Sequence, residues 1–191
     1  PVAYDGLTIV VNKSNSFLEQ LTVADLKKIF LEGGVKTWNE VNPAWLNQTI
    51  KVFSPGTDSG TFDYFKEVVA GKDGKIRSDM SVSEDDNVLV RGVEGDVNAI
   101  GFFGCAYFFE NKDKLKDVPV INPKTQKAVH PNHETIKSGE YAPFSRPLFI
   151  YVNAKSVAKP EVKSFVEYYL ENAADVADEV GYVGLPGEIY A

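Results

Sequence analysis

The residues with the clearest chemical potential in this sequence are four consecutive small or polar ones, Asp58, Ser59, Gly60 and Thr61. The segment 50–53 before them has the pattern of a strand, and a Pro-Gly pair then predicts a turn. The apolar residues that follow recur at helical spacing: Phe62, Phe65 and Val69. The pattern therefore predicts that Ser59, Gly60 and Thr61 lie on the first turn of a helix.

The first turn of a helix is a suitable place to bind an anion. About four backbone N–H groups there have no partner within the helix, and they carry the positive end of the helix dipole. Gly60 has no Cβ that would keep a ligand away from these amides, and the hydroxyls of Ser59 and Thr61 add further donors. Phosphate, sulfate or another oxyanion fits this chemistry.

The same residues also have a purely structural interpretation. Asp58 or Ser59 caps the helix, and the Pro-Gly pair makes an ordinary turn. Capping serines are more common than anion sites, so these residues by themselves favour the cap and leave the anion site as the alternative.

A resemblance to a known family bears on this choice. The segment 54–62, Ser-Pro-Gly-Thr-Asp-Ser-Gly-Thr-Phe, resembles the phosphate-binding loop of the substrate-binding proteins of bacterial phosphate ABC importers, in which a Ser-Gly-Thr triplet opens a helix. Further segments are similar to the family in the same order: 2–12, 21–30, 83–87 with 99–104, and 145–152. The ordered matches cover nearly all of the chain, so the resemblance implies the anion site.

The resemblance implies an α/β fold of the periplasmic binding protein-like type II class, with two lobes joined by hinge strands. Residues 12–145 are then the nearly complete second lobe, and residues 1–11 and 146–191 are the hinge strands and the C-terminal part of the first lobe. We predict the two hinge strands near residues 4–11 and 148–152. We also predict a buried strand over residues 99–109 and a long helix from Pro160 to Gly181.

Members of this family are longer, and their first lobe contacts phosphate from the opposite side through two loops rich in Ser and Thr. No segment here corresponds to those loops, so we expect this chain to be the later part of a protein whose missing N-terminal segment is its partner. In some members an arginine precedes the Ser-Gly-Thr loop, whereas this chain has Ser54, Pro55 and Gly56 there. A guanidinium contact from the loop is therefore not implied.

Charge limits the classes of partner. The net charge of −7 argues against nucleic acid, because the overall field would repel it. The same charge is compatible with an anion in a closed cleft, since short-range N–H and O–H donors do not depend on distant charges. The lone Cys105 cannot form an internal disulfide and is predicted to be a small buried residue.

Two histidines raise the question of a metal site or an enzyme. His130, His133 and Glu134 are close in sequence, but Pro131 excludes a regular helix through both histidines, and we predict a polar loop without a metal. Ser59 has no Gly-x-Ser-x-Gly elbow around it, which argues against a serine hydrolase. We therefore do not expect an enzyme.

The function implied by the resemblance is binding of inorganic phosphate in a periplasmic or extracellular space of the cell envelope. Hinge closure would follow, and the ligand would be delivered to the membrane subunits of an ABC importer without a cofactor. The alternative is a phosphate-sensing or structural interaction module of the same fold. Selectivity against sulfate requires an acceptor for the proton of HPO₄²⁻, which the family places in the first lobe.

Overall fold

The computed structural model describes residues 1–190 and has an α/β architecture. Its strands are β1 (Ala3–Asn12), β2 (Lys51–Pro55), β3 (Ser81–Ser83), β4 (Ala99–Gly104), β5 (Leu115–Asp117), β6 (Val120–Ile121), β7 (Ala128–Val129), β8 (Ser145–Leu148) and β9 (Val183–Gly184). Its helices are α1 (Val23–Phe30), α2 (Trp38–Val41), α3 (Gly60–Val69), α4 (Asp86–Glu94), α5 (Cys105–Glu110), α6 (His133–Lys137) and α7 (Pro160–Glu179), followed by a 3₁₀ turn at Gly187–Ile189.

The main sheet has the strand order β3-β2-β4-β1-β5. β2 runs parallel to both β3 and β4, whereas β1 runs antiparallel to β4 and β5. The residues of β1 from Leu7 to Val11 are fully buried and nearly all apolar, as expected for a strand that is covered on both sides. This sheet places the C-terminal end of β2, and therefore the turn that leads into α3, beside the neighbouring strand ends.

The two halves of β1 have different neighbours. Residues 7–12 pair with β4 and β5, for example Ile9 with Phe102. Residues 3–6 pair instead with β8 and β9, so that Asp5 lies opposite Arg146 and Tyr4 opposite Val183. A single strand thus connects the main sheet to the C-terminal part of the chain.

Local hydrogen bonds define where the helices begin. The Thr22 hydroxyl accepts a hydrogen bond from the Asp25 amide, and the Asp25 carboxylate accepts one from the Thr22 amide, which completes a capping box at the start of α1. Ser59 caps α3, and its hydroxyl accepts a hydrogen bond from the Thr61 amide at 3.2 Å. The start of α3 confirms the position predicted from the sequence.

The centre of the core is a set of aromatic rings. Phe65 of α3 is fully buried and stacks on Phe102 of β4 with ring centroids 3.8 Å apart. Its ring also packs edge-on against Phe30 of α1 and parallel to Phe144. These contacts fix α3 against the sheet, because aromatic pairs add a geometric preference to the hydrophobic effect.

The predicted strand over residues 99–109 is wrong in its second half. β4 ends at Gly104, and α5 begins at Cys105. Within α5, Cys105 and Phe108 are buried and Tyr107 is exposed, which is the spacing of a helix face. A short apolar run does not distinguish a buried strand from a buried helix by its periodicity, so tertiary packing decided between them.

The predicted hinge strand at 148–152 is also displaced. The strand observed is β8, which ends at Leu148, and residues 149–152 are in no strand. Tyr151 is 91% exposed and Phe149 is 52% exposed. The apolar residues that predicted a strand here are only partly covered by the residues that the structure describes.

α7 also exposes large apolar side chains, and more of them. It buries Ala173 and Ala177, but Phe165 is 67% exposed and Tyr168 is largely exposed as well. An amphipathic helix normally turns such a face toward a core.

Within residues 1–190, no helix combines the length and the hydrophobicity that crossing a membrane would need.

Candidate anion-binding site

The start of α3 lies open at its glycine. Ser59 has extended backbone angles, φ −83° and ψ 127°, and Gly60 is the first helical residue. A Cβ built on Gly60 would meet no atom within 4 Å. No neighbouring side chain is therefore packed against the Cβ position of Gly60, although the Thr61 amide donates to the Ser59 hydroxyl.

A cavity of about 200 Å³ adjoins this helix start. Residues from separate elements line it, among them Asp5, Gly60, Thr61, Asp86, Arg146 and Tyr182. β1, α3, α4, β8 and the segment after α7 thus meet at one point. The cavity brings together backbone amides, hydroxyls, carboxylates and a guanidinium, which is the chemistry of a small polar ligand site.

Arg146 occupies a well-defined position in this cavity. It donates from Nε and Nη2 to Asp5 Oδ2 at 3.2 and 3.1 Å, and from Nη2 to the Gly60 carbonyl at 3.4 Å. The guanidinium carbon lies 4.2 Å from the centroid of the Tyr64 ring, a cation–π arrangement. The Tyr64 hydroxyl in turn donates to the Pro143 carbonyl at 2.6 Å, so the ring is itself held in place.

Two carboxyl groups of the cavity hold protons more readily than ordinary aspartates. Burial raises the pKa of Asp5, and the Arg146 guanidinium opposes this effect. Burial also raises the pKa of Asp86, and the neighbouring charges of Asp85 and Glu84 act in the same direction. The cavity therefore has carboxylates whose negative charge is costly, next to one cation.

Cys105 also lines the cavity, but its thiol is unreactive. Thr8 Oγ1 donates to its sulfur at 2.9 Å, and burial raises the pKa of the thiol to about 12. At neutral pH the nucleophilic thiolate is therefore almost absent. The prediction of a small buried cysteine is confirmed.

The four residues singled out in the sequence have different places. Gly60 and Thr61 line the cavity, Ser59 caps α3 beside it, and Asp58 is exposed in the turn and does not line it. The sequence pattern did not reveal that Arg146 and Asp5, which are 141 positions apart, pair with each other and line the same cavity. Their cross-strand pairing appears only when β1 and β8 are placed side by side.

The histidines lie elsewhere. His130 Nδ1 is 2.6 Å from Asp117 Oδ2 in an exposed pair, and α6 begins only at His133. Pro131 thus keeps the two histidines off one helix, as predicted. The predicted polar loop is wrong for His133 and Glu134, because Asn132 caps α6 and these two residues form its first turn. Over residues 1–190, no group of three or more His, Cys, Asp or Glu side chains is arranged to hold a metal ion.

Comparison with known proteins agrees with this fold. A family model described as the PBP superfamily domain matches residues 1–173. The chain belongs to the PBP superfamily. Within that superfamily, its relatives include the protein SphX of Synechococcus elongatus, which is 47% identical over all of this chain. The phosphate-binding protein PstS of Staphylococcus haemolyticus is 42% identical over 99% of the chain.

This PBP superfamily chain spans little more than half the length of those relatives, 56% of SphX and 58% of PstS. Among solved structures, a possible phosphate-binding protein from Planctomyces limnophilus is 44% identical, with a TM-score of 0.91 over 99% of this chain and 67% of that one. An ABC-type phosphate transport receptor from Vibrio cholerae has a TM-score of 0.77 over 96% of this chain and 70% of its own at 24% identity, which supports the fold alone.

Proposed function

We propose that this chain is part of a substrate-binding protein that captures inorganic phosphate and delivers it to an ABC importer. The observation that carries the proposal is the start of α3 at a polar cavity that Gly60, Thr61 and Arg146 line. The names of the relatives support the choice of phosphate among the possible oxyanions. We propose a binding role rather than a catalytic one.

In this proposal the anion accepts hydrogen bonds from the amides of Gly60 and Thr61 and from the hydroxyls of Ser59 and Thr61. In the structure the Thr61 amide donates to the Ser59 hydroxyl, so this amide would share that hydrogen bond with the anion or give it up. The proton of the Ser59 hydroxyl remains available for a ligand oxygen. Asp58, exposed in the turn, is the remaining residue of the proposed phosphate-binding segment. Such hydrogen bonds to a charged acceptor are stronger than those between neutral groups.

The acidic net charge of −7 does not oppose such a site. Surface charges more than about 10 Å away are screened at ordinary ionic strength, whereas the donors of the cavity act at contact distance. We expect weak electrostatic steering of the ligand, with an affinity that the distant surface charges do not diminish.

We also propose the division into lobes that the resemblance implies, with residues 12–145 as one lobe and residues 1–11 and 146–191 as hinge strands and part of the other. The uncovered face around α7 supports it. An apolar cavity of about 450 Å³ lies between this helix and the segment after β8, and is lined by residues such as Phe149, Phe165 and Tyr169. We propose that a segment preceding residue 1 covers this face and completes the first lobe.

A charge placed on that face tests the covering segment. We expect Phe165→Asp to lower the free energy of unfolding of the intact protein by about 2 kcal/mol or more, because a carboxylate would be buried without a partner. Leu46→Asp is the control, since Leu46 is 51% exposed on a loop away from this face. Denaturant titration measures both. Equal and small effects of the two variants would mean that nothing covers α7.

Calorimetric titration of the intact protein with phosphate, and separately with sulfate, tests the proposed function. We expect saturable phosphate binding without turnover. Binding of neither anion would refute phosphate capture and leave a structural interaction module of the same fold. For delivery to an importer we propose a periplasmic or extracellular location, where the membrane subunits of the transporter would be its partners.

A further inference from the structure

We propose that Arg146 contacts the bound anion directly and supplies the positive charge of the site. This inference rests on the proposed function. It extends the site beyond the segment 58–61 to a residue on another strand.

Charge balance in the cavity points to Arg146. The only charged side chain of the segment 54–61 is that of Asp58, which is negative. Among the described residues that line the cavity, Asp5 and Asp86 bring carboxyl groups and Arg146 brings the one cation. An anion placed at the start of α3 would meet two carboxyl groups, and the guanidinium is the group that offsets their repulsion.

Geometry points the same way. Arg146 Nη2 lies 3.4 Å from the carbonyl oxygen of Gly60, so the guanidinium is beside the first residue of α3. Nε and Nη2 are engaged with Asp5 and Gly60, whereas Nη1 has no hydrogen-bond partner within residues 1–190. About a third of the side chain, 34%, is exposed. The guanidinium thus retains donors for an oxyanion, and its planar fork suits phosphate.

The surroundings hold the guanidinium in one orientation. Asp5 pairs with it across strands β1 and β8, and the Tyr64 ring supports its face. An arginine fixed in this way loses little side-chain entropy when a ligand binds. Asp5 and Tyr64 are therefore positioning residues for Arg146.

A purely structural Arg146 would neutralise Asp5 and do nothing else, and paired variants separate the two roles. In Asp5→Asn with Arg146→Gln, no buried carboxylate is left unpaired, so the pair can be lost without an uncompensated charge. We expect this double variant to bind phosphate about 10- to 100-fold more weakly than Asp5→Asn alone, because a charge-assisted contact is lost. Arg91→Gln is the matched control, since Arg91 is exposed in the last turn of α4 and does not line the cavity.

Calorimetric titration of the intact protein with inorganic phosphate gives the affinities, and thermal unfolding without phosphate gives the stability of each variant. Equal phosphate affinity of Asp5→Asn and the double variant, with normal binding by the unmodified protein, would overturn the role of Arg146 and leave phosphate capture intact. Absence of binding by the unmodified protein would instead refute the proposed function. If the double variant binds phosphate more weakly than Asp5→Asn while the two have the same stability, the contact between Arg146 and the anion is supported.

Discussion

We expect replacement of both Ser59 and Thr61 by alanine to weaken phosphate binding by about 100-fold or more, because each lost hydroxyl removes a hydrogen bond to a charged acceptor. Both residues belong to the start of α3, and Thr61 lines the cavity. Calorimetric titration of the intact protein measures the change. The loss of the Ser59 cap lowers stability by only about 1 kcal/mol, so the variant remains folded for the titration.

The matched control is the pair Ser78→Ala with Thr125→Ala, which removes the same two kinds of hydroxyl from exposed positions outside the cavity. It should bind phosphate as the unmodified protein does. Gly60→Ala tests the same helix start in another way. The added Cβ meets nothing within 4 Å and should not disturb the fold, so a loss of phosphate affinity in this variant would mean that the Cβ keeps the ligand away from the amides. Unchanged affinity in Ser59→Ala with Thr61→Ala would show that the anion does not bind at this helix start.

The second large effect concerns stability. We expect Phe65→Ala to lower the free energy of unfolding by about 3–5 kcal/mol, because a fully buried ring is removed and its neighbours cannot close the cavity. Phe65 contacts Phe30, Phe102 and Phe144, so the loss reaches α1, the sheet and the segment before β8 at once. Urea denaturation, read from the midpoint at constant slope, measures it.

Leu46→Ala provides the reference for an apolar side chain outside the core, since Leu46 is half exposed. Its effect should stay within about 0.5 kcal/mol. If Phe65→Ala cost no more than this, the stacked rings would not be the centre of the core. Because Phe65 lies on the same helix as Gly60 and Thr61, its loss should also loosen the site.

Sequence patterns sufficed for those parts of the molecule that depend on a few neighbouring residues. The cap of Ser59 is formed with Thr61, two positions further along the chain, so residue types alone predicted the start of α3. The periodicity of residues 62–69 was confirmed in the same way. Family resemblance supplied the fold, because the ordered matches extend beyond any single element.

Sequence patterns failed where tertiary packing decides. The apolar residues of 105–109 fit a strand or a helix equally, and the helix α5 became apparent only from its buried face against the sheet. The apolar segment 149–152 was predicted as a strand because nothing in its composition tells whether a partner strand is present. Both errors concern short apolar runs whose conformation depends on distant neighbours.

The candidate site also has one part that the sequence predicts and one part that only the tertiary structure reveals. An open helix start with glycine and hydroxyl donors follows from local residue order, since the N–H groups of a first turn and the cap that satisfies them are neighbours in sequence. The pairing of Asp5 with Arg146 comes from the register of β1 with β8, and this placement of Arg146 brings the guanidinium over the Tyr64 ring and beside Gly60. Contacts between residues so far apart in sequence exist only after the strands have paired, which is why the tertiary structure alone could place a cation beside the proposed anion site.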